Sequence, residues 1–220
     1  MSFSRANPSP RYRELVELYR QMHLEGERFL SLPPQKVFPG HSLPPQATRI
    51  KGLIVRTGAA SILDYGSGKG KQYAKPVRLQ DGAAYDTMQD YWDVDYIQCF
   101  DPSYPPYSEL PSGKFDGVVS TDVLEHCPED DIGWIVDEIF GFAKLFVFAN
   151  VACYPAVKRL PTGENAHCTI KPPEWWAEIL RGATARHPGV LWEVWIETQQ
   201  DGLNGGKIVE TRLASGDGAP

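Results

Sequence analysis

The chain has 220 residues, of which 42% are hydrophobic and 23% are charged, and its formal net charge is −6. This length and composition fit one globular domain with a single core. The acidic balance disfavours nucleic acid as a partner, because binding to phosphates needs a basic surface. No apolar run approaches the roughly 18 residues of a membrane helix, and residues 1–7 lack the apolar core of a signal peptide. We therefore expect a cytoplasmic protein with no membrane span, while the oligomeric state is left open.

Residues 1–45 are predicted to form a helical extension with a proline-rich connector. Ser9-Pro10 is typical of a helix start, and apolar residues follow at helical spacing. These are Leu15, Leu18, Tyr19 and Met22. We expect this stripe to pack against the main domain, with a lid or a dimer contact as the second interpretation. Residues 32–45 are too rich in proline for a regular helix, and the main domain is predicted to span residues 46–213, beginning with a helix from Gln46 to Arg56.

Residues 61–70, Ser-Ile-Leu-Asp-Tyr-Gly-Ser-Gly-Lys-Gly, predict a buried strand that turns tightly into a helix. The apolar run ends on Asp64, and the glycines at 66, 68 and 70 leave the backbone free to approach a ligand. The spacing disfavours a Walker loop, because Lys71 is followed by Gln72 rather than by Ser or Thr. It also disfavours the dinucleotide fingerprint, whose third glycine would fall at position 71.

An acidic residue followed by x-G-x-G-x-G after a strand resembles motif I of the class I S-adenosylmethionine-dependent methyltransferases. The resemblance implies that the glycine turn passes beside the methionine part of S-adenosylmethionine and that Asp64 stands near its amino group. A tight turn without a ligand is the alternative reading of the glycines.

A second strand is predicted from Val94 to Asp101. In the same family this strand ends on an acid that holds the ribose hydroxyls, which implies this role for Asp101. Asp101 lies 37 positions after Asp64, whereas roughly 20 are expected by analogy with dinucleotide-binding sheets. Either the first crossover carries an insertion, or Asp93 or Asp95 holds the ribose.

Residues 114–126, Lys-Phe-Asp-Gly-Val-Val-Ser-Thr-Asp-Val-Leu-Glu-His, resemble the F-D-x-V…x-V-L-E-H block of these methyltransferases at their fourth strand. The resemblance covers residues 60–155. It implies an α/β fold with a Rossmann-like class I methyltransferase sheet, mostly parallel with an antiparallel terminal hairpin, and helices on both faces. Residues 104–113 are too few for the helix and strand that usually intervene, so we expect these elements to be truncated or absent.

The remaining elements follow from periodicity. A helix is predicted after Pro128, a central strand over residues 144–152, and a helix from Glu174. Residues 191–197 and 207–213 predict the final hairpin, and residues 214–220 are predicted to be a disordered tail.

The predicted site residues follow from these resemblances. S-adenosylmethionine is the expected cofactor, and its predicted binding residues are Asp64, Gly66, Gly68, Gly70, Asp101 and Asp122. The predicted catalytic residues are Glu125, His126 and His167. The last of these comes from the loop after the next strand.

Asp122, Glu125, His126 and His167 together resemble the metal-dependent branch that methylates the 2′-hydroxyl at small-RNA 3′ ends. Its pattern is acid-x-x-Glu-His with a later His before an aromatic-rich helix, and here Asp122 replaces the usual Glu. The resemblance implies a possible Mg²⁺ or Mn²⁺ site that binds a vicinal diol and lowers its pKa. In the alternatives, His126 is structural, and His167 acts as general base or contacts substrate without a metal.

For the acceptor we favour a hydroxyl of a sugar, a glycan or another small molecule. Aromatic residues with flat faces could stack on sugar rings, namely Trp175, Trp176, Trp192, Trp195, Tyr104 and Tyr107. The alternatives are a metal-dependent enzyme similar to the RNA 2′-O-methyltransferases, or a non-catalytic interaction subunit with a methyltransferase fold. A nucleotide-dependent oxidoreductase is disfavoured by Lys71.

Overall fold

The computed structural model describes residues 3–78, 82–200 and 206–215. The helices are α1 (Pro10–Glu25), α2 (Ala47–Thr57), α3 (Met88–Trp92), α4 (Glu129–Phe142) and α5 (Pro173–Arg186). The strands are β1 (Ser61–Tyr65), β2 (Val77–Arg78), β3 (Ala84–Tyr85), β4 (Tyr96–Phe100), β5 (Phe115–Thr121), β6 (Ala143–Cys153), β7 (Leu191–Gln200) and β8 (Lys207–Ala214). Within the described ranges, none of the helices combines the length and the apolar character needed to cross a membrane.

Six strands form one sheet in the order β4-β1-β5-β6-β7-β8. Every neighbouring pair is parallel except β7 and β8, which form an antiparallel hairpin. One face of the sheet packs against α4 and α5, and the other packs against α2 and α3. The predicted Rossmann-like α/β fold, with helices on both faces and an antiparallel terminal hairpin, is therefore confirmed.

The first crossover carries an insertion. Between β1 and β4 the chain forms a 3₁₀ turn, the small β2–β3 hairpin and α3, which accounts for the long separation of Asp64 and Asp101. Asp101 follows the carboxyl end of β4. The N–H of Asp95, by contrast, donates to the carbonyl of Ala60, which precedes β1. Asp93 and Asp95 thus lie at the amino ends of the parallel strands, whereas such folds bind ligands at the carboxyl ends.

The chain between β4 and β5 is short, as expected. It contains one 3₁₀ turn, Pro105–Tyr107, and β4 stays at the edge of the six-stranded sheet. The predicted tail begins too early, because Ala214 ends β8 and is buried, and Ser215 bonds to the backbone of Trp192. Antiparallel pairing with β7 explains this correction; residues 216–220 lie outside the described residues.

The N-terminal extension is fastened to the sheet domain at several points. The guanidinium of Arg5 forms a salt bridge with Glu138 of α4. Ser9 caps α1, because its hydroxyl accepts from the N–H of Tyr12, and the same hydroxyl donates to the buried carboxylate of Asp131. The Nζ atom of Lys69, in the glycine turn, donates to three carbonyls of the extension. These bonds fix α1 across the carboxyl edge of the sheet.

Substitution of Ser9 tests this attachment. Ser9→Ala removes a helix cap and one of the bonds to buried Asp131, so we expect a loss of about 2 kcal/mol in unfolding free energy. Urea denaturation followed by circular dichroism measures the change. The control is Ser108→Ala, whose exposed hydroxyl bonds only to the carbonyl of Pro105. Equal stability of the two variants would contradict the capping role of Ser9.

Candidate functional site

A cavity of ≈ 510 Å³ lies at the carboxyl ends of the parallel strands. Its floor consists of the turns after β1, β4 and β5 and the loop after β6, and its roof consists of α1 and residues 36–42 of the connector. Open α/β sheets bind ligands at this edge, and the volume is in the range of sites for small molecules. The extension therefore forms the roof of the cavity, and two residues of its predicted apolar stripe, Leu15 and Tyr19, line that cavity.

The glycine turn forms one end of the cavity. Gly66, Gly68 and Gly70 have positive φ angles of 85°, 58° and 64°, which residues with a Cβ rarely adopt. Gly66 and Gly68 line the cavity. Gly70 does not, because its free side faces Tyr107 and Cys99. Two of the three predicted cofactor glycines thus expose their backbone to the cavity.

Asp101 lies next to the glycine turn on the cavity wall. Its Oδ2 accepts from the N–H of Gly68 at 2.9 Å, and its Oδ1 accepts from the N–H and the hydroxyl of Ser103. A carboxylate that is fixed beside a backbone turn can accept hydrogen bonds from ligand hydroxyls with little loss of side-chain entropy. Asp101 thus lies on the cavity wall beside the glycine turn, and its contact with a ribose stays a prediction.

Asp64 has a different environment from the one expected. Its carboxylate is buried away from the cavity and accepts from Gln72 Nε2 at 2.9 Å and from the Tyr73 hydroxyl at 2.8 Å. Burial raises the pKa of Asp64 to about 7. Gln72, which does line the cavity, is the neighbour through which Asp64 can act on a ligand. Its predicted contact with the amino group of the cofactor stays a prediction.

Asp122, Glu125, His126 and His167 come together, and one potential ligand atom from each lies within 4.8 Å of the others. Asp122, His126 and His167 line the cavity, and Glu125 is fully buried beside them. Asp122, Glu125 and His126 follow β5. His167 follows β6, which pairs with β5 in parallel, so both segments leave the sheet at one edge. Asp122 has a positive φ of 59°, which turns the chain sharply at the strand end. The four residues predicted from the sequence thus form one cluster.

Both histidines in this cluster have a defined tautomer. Nδ1 of His126 lies 3.0 Å from the carbonyl oxygen of Ala166, and Nδ1 of His167 lies 2.6 Å from that of Tyr154. A carbonyl oxygen only accepts, and the Tyr19 hydroxyl, 2.8 Å from Nδ1 of His126, donates to Ala166. We therefore assign the proton to Nδ1 of each ring and a free lone pair to each Nε2. Burial lowers the pKa of His126 to about 4 and also lowers the pKa of His167. Both rings are therefore neutral, as metal ligands must be.

Glu125 is fully buried. Its Oε1 accepts from the N–H of Ala152 at 2.8 Å, whereas its Oε2 has no hydrogen-bond partner among the described residues. Burial raises the pKa of Glu125 well above its usual range, and the neighbouring Asp122 carboxylate raises it further. A buried carboxylate oxygen without a partner is costly unless a ligand completes its environment.

The donor set fits a divalent cation. A bound cation would favour the ionised form of Glu125, and the two carboxylates with two neutral imidazoles would then carry two negative charges, which match the charge of Mg²⁺ or Mn²⁺. Each histidine donates its other ring N–H to a backbone carbonyl, which is the usual arrangement behind a metal-binding imidazole. The unpartnered Oε2 of Glu125 is the atom that most needs such a partner.

Comparisons with known proteins add little to this geometry. No family model matches the chain, and no curated protein matches it. Among solved structures, the chain is similar to the magnesium protoporphyrin IX methyltransferase from Synechocystis PCC 6803 with bound SAH. The two share 12% sequence identity with a TM-score of 0.45, over 92% of this chain and 94% of that chain. At this level the likeness carries no argument about function, which has to come from the site itself.

The predicted aromatic platforms are not part of the cavity wall. Trp176 and Trp192 are buried in the core, Trp175 packs against that core, and Trp195 lies under the guanidinium of Arg49 at 3.6 Å. Neither Tyr104 nor Tyr107 lines the cavity. The hydrophobic effect explains this correction, because apolar rings on helices and strands of a sheet domain pack inward first.

Other aromatic residues, which the sequence did not single out for the site, line the cavity instead. Tyr19 and His23 of α1 are four positions apart and face it together, and Phe38 and Tyr154 join them. The signal was present in α1, because Tyr19 brings a hydroxyl to its apolar stripe and His23 follows four positions later on the same face.

Asp101 and Asp95 offer a matched test of the ribose assignment. Asp101→Ala is expected to weaken binding of S-adenosylhomocysteine by about 10- to 100-fold, because it removes charged hydrogen bonds beside the glycine turn. Asp95→Ala removes an exposed carboxylate at the amino ends of the parallel strands and should leave the affinity unchanged. Isothermal titration calorimetry measures both affinities. A larger loss for Asp95→Ala than for Asp101→Ala would contradict the assignment.

Proposed function

We propose that this chain is an S-adenosylmethionine-dependent O-methyltransferase that acts on a sugar or other small-molecule hydroxyl with the help of a divalent cation. One observation carries the proposal. Two carboxylates and two neutral imidazoles form one cluster, and three of its four members line the same cavity as a glycine turn and a strand-end aspartate. The first end of the cavity suits a nucleoside cofactor, and the second suits a metal and an acceptor.

At the cofactor end, S-adenosylmethionine would supply the methyl group on a sulfonium that reacts by in-line displacement. The backbone of Gly66 and Gly68 can lie against the methionine part, and Asp101 can accept from the ribose hydroxyls. Asp122 lies on the wall of the same cavity, beside the two histidines, and can contact the cofactor or the acceptor there.

At the other end, Nε2 of His126 and of His167 and the carboxylates of Asp122 and Glu125 would hold the cation. A cation there would supply a Lewis acid that lowers the pKa of a bound hydroxyl. Methyl transfer breaks the carbon–sulfur bond, forms a carbon–oxygen bond and releases the hydroxyl proton. Asp122, whose side chain is 42% exposed, lies where this proton can pass to water. Glu125, His126 and His167 would hold the cation in position, and the Glu125 carboxylate would offset part of its charge.

The acceptor follows from the size and shape of the site. A cavity of ≈ 510 Å³ under a helical roof suits a small molecule or the end of a longer chain. Adjacent hydroxyls of a sugar ring can offer two oxygens to one cation, which favours a vicinal diol. Ser42 and Tyr154 line the same cavity and can hydrogen-bond to such an acceptor.

One second function has a specific observation in its favour. The cluster fits the pattern of the RNA 2′-O-methyltransferases that modify small-RNA 3′ ends, and a terminal ribose also carries a vicinal diol. The net charge of −6 weighs against a long nucleic acid. Methyl transfer to a short RNA with a free 3′ diol, compared with methyl glycosides, separates the two substrates. Transfer to neither, without binding of S-adenosylhomocysteine, would favour a non-catalytic interaction subunit.

His167 is the most direct test of the proposal. His167→Ala removes one ligand of the predicted cation, so we expect methyl transfer to fall at least about 100-fold while the affinity for S-adenosylhomocysteine is retained. The matched control is His187→Ala, since His187 bonds to Asp137 on the surface, away from the cavity. The measurements are S-adenosylhomocysteine release, with and without a chelator, and calorimetry. Full activity of metal-free wild-type protein would contradict the metal-assisted mechanism, and equal loss of cofactor binding would make His167 structural.

A further inference from the structure

Tyr19 of α1 contacts both segments that carry the histidines of the cluster. Its hydroxyl lies 2.8 Å from Nδ1 of His126 and donates to the carbonyl of Ala166 at 2.7 Å. Ala166 directly precedes His167. The two aromatic rings meet edge to face, with Tyr19 and His126 centred 5.4 Å apart. One hydroxyl from the N-terminal extension thus joins the turn after β5 to the loop after β6.

The chemistry of this contact assigns Tyr19 a role. Nδ1 of His126 is the protonated nitrogen, so the oxygens of Tyr19 and Ala166 share its N–H, while the hydroxyl proton of Tyr19 goes to Ala166. This arrangement fixes both the tautomer and the direction of the His126 ring. It also holds the backbone beside His167. Partners of this kind behind a ligating histidine control the affinity for the metal.

The position of Tyr19 on α1 adds a second consequence. Leu15, Val16, Tyr19 and His23 of α1 line the cavity. The same helix is also packed, because Leu15 and Met22 belong to a buried cluster with Leu160 and Ala166. The Tyr19 hydroxyl is therefore a polar link between the roof and the histidine cluster.

We propose that Tyr19 is a positioning residue for the cation site and that cation binding is coupled to the docking of α1 over the cavity. This inference rests on the proposed metal-assisted function. Coupling free energies are reciprocal, so if docking of α1 strengthens cation binding, the cation must hold α1 in place to the same extent. Removal of the Tyr19 hydroxyl should therefore weaken cation binding and also reduce the extent to which the cation holds α1 in place.

The test uses the full chain and Mn²⁺ as the probe. Calorimetric titration of Tyr19→Phe is expected to show about 10- to 100-fold weaker Mn²⁺ binding than the wild type. The matched control is Tyr91→Phe, which also removes one tyrosine hydroxyl bond, from Tyr91 to Thr48 on the far side of the domain. It should bind Mn²⁺ as the wild type does. Binding of S-adenosylhomocysteine is measured in parallel.

Hydrogen exchange of the α1 amides gives a second readout. Its wild-type part does not depend on whether the variant folds. Mn²⁺ is expected to slow exchange over residues 10–25 of the wild type, and to slow it less in Tyr19→Phe. Wild-type Mn²⁺ affinity in Tyr19→Phe would overturn the positioning role and leave the proposed function intact. Unchanged α1 exchange in Mn²⁺-bound wild type would overturn the coupling. Failure of the wild type to bind Mn²⁺ would overturn the cation site and this inference together.

Discussion

The buried side chain and backbone of Glu125 connect the segments on which the site depends. Its Oε1 accepts from the N–H of Ala152 at the end of β6, and its carbonyl accepts from the N–H groups of Cys168 and Thr169. Through these bonds the turn after β5 fixes both the neighbouring strand and the loop that carries His167. The residue that would bind the cation is thus also the residue that assembles its other ligands.

This arrangement has an energetic cost. A fully buried carboxyl with one unpartnered oxygen disfavours the charged form, which is why the pKa of Glu125 is raised. Two neutral histidines nearby bring no compensating charge. A divalent cation would restore the ionised form and partner the free oxygen at once. The cluster therefore contributes less to the stability of the fold than a core of the same volume, as expected for residues placed for function.

Much of the fold could be predicted from the sequence, because local rules act on short segments. Strands β1, β4 and β5 could be predicted from apolar runs that end in acids or glycines. Helices α1 and α4 could be predicted from apolar residues at helical spacing. The cluster after β5 could be predicted as well, since parallel neighbours must leave the sheet at the same edge. The surroundings of individual side chains were harder to predict. Asp64 stands in the expected turn, but Gln72 and Tyr73 hold it away from the cavity.

The role of α1 could not be predicted for a similar reason. Periodicity shows that a helix has one apolar face, but it does not show which surface that face covers. In the structure the face covers the cavity, and the tryptophans expected there lie in or against the core. The polar members of the face, Tyr19 and His23, contact His126 and Tyr104, which lie more than 70 positions away in the chain. Helical spacing within α1 cannot predict such contacts.

The central claim is that the cluster after β5 binds a divalent cation in the cofactor cavity. Anomalous diffraction at the manganese edge, from crystals grown with Mn²⁺ and S-adenosylhomocysteine, tests it most directly. The account predicts one strong peak within bonding distance of Nε2 of His126 and His167 and of the Asp122 and Glu125 carboxylates, with the nucleoside beside Gly68 and Asp101. An empty cluster with S-adenosylhomocysteine bound, or manganese only at surface carboxylates, would contradict it.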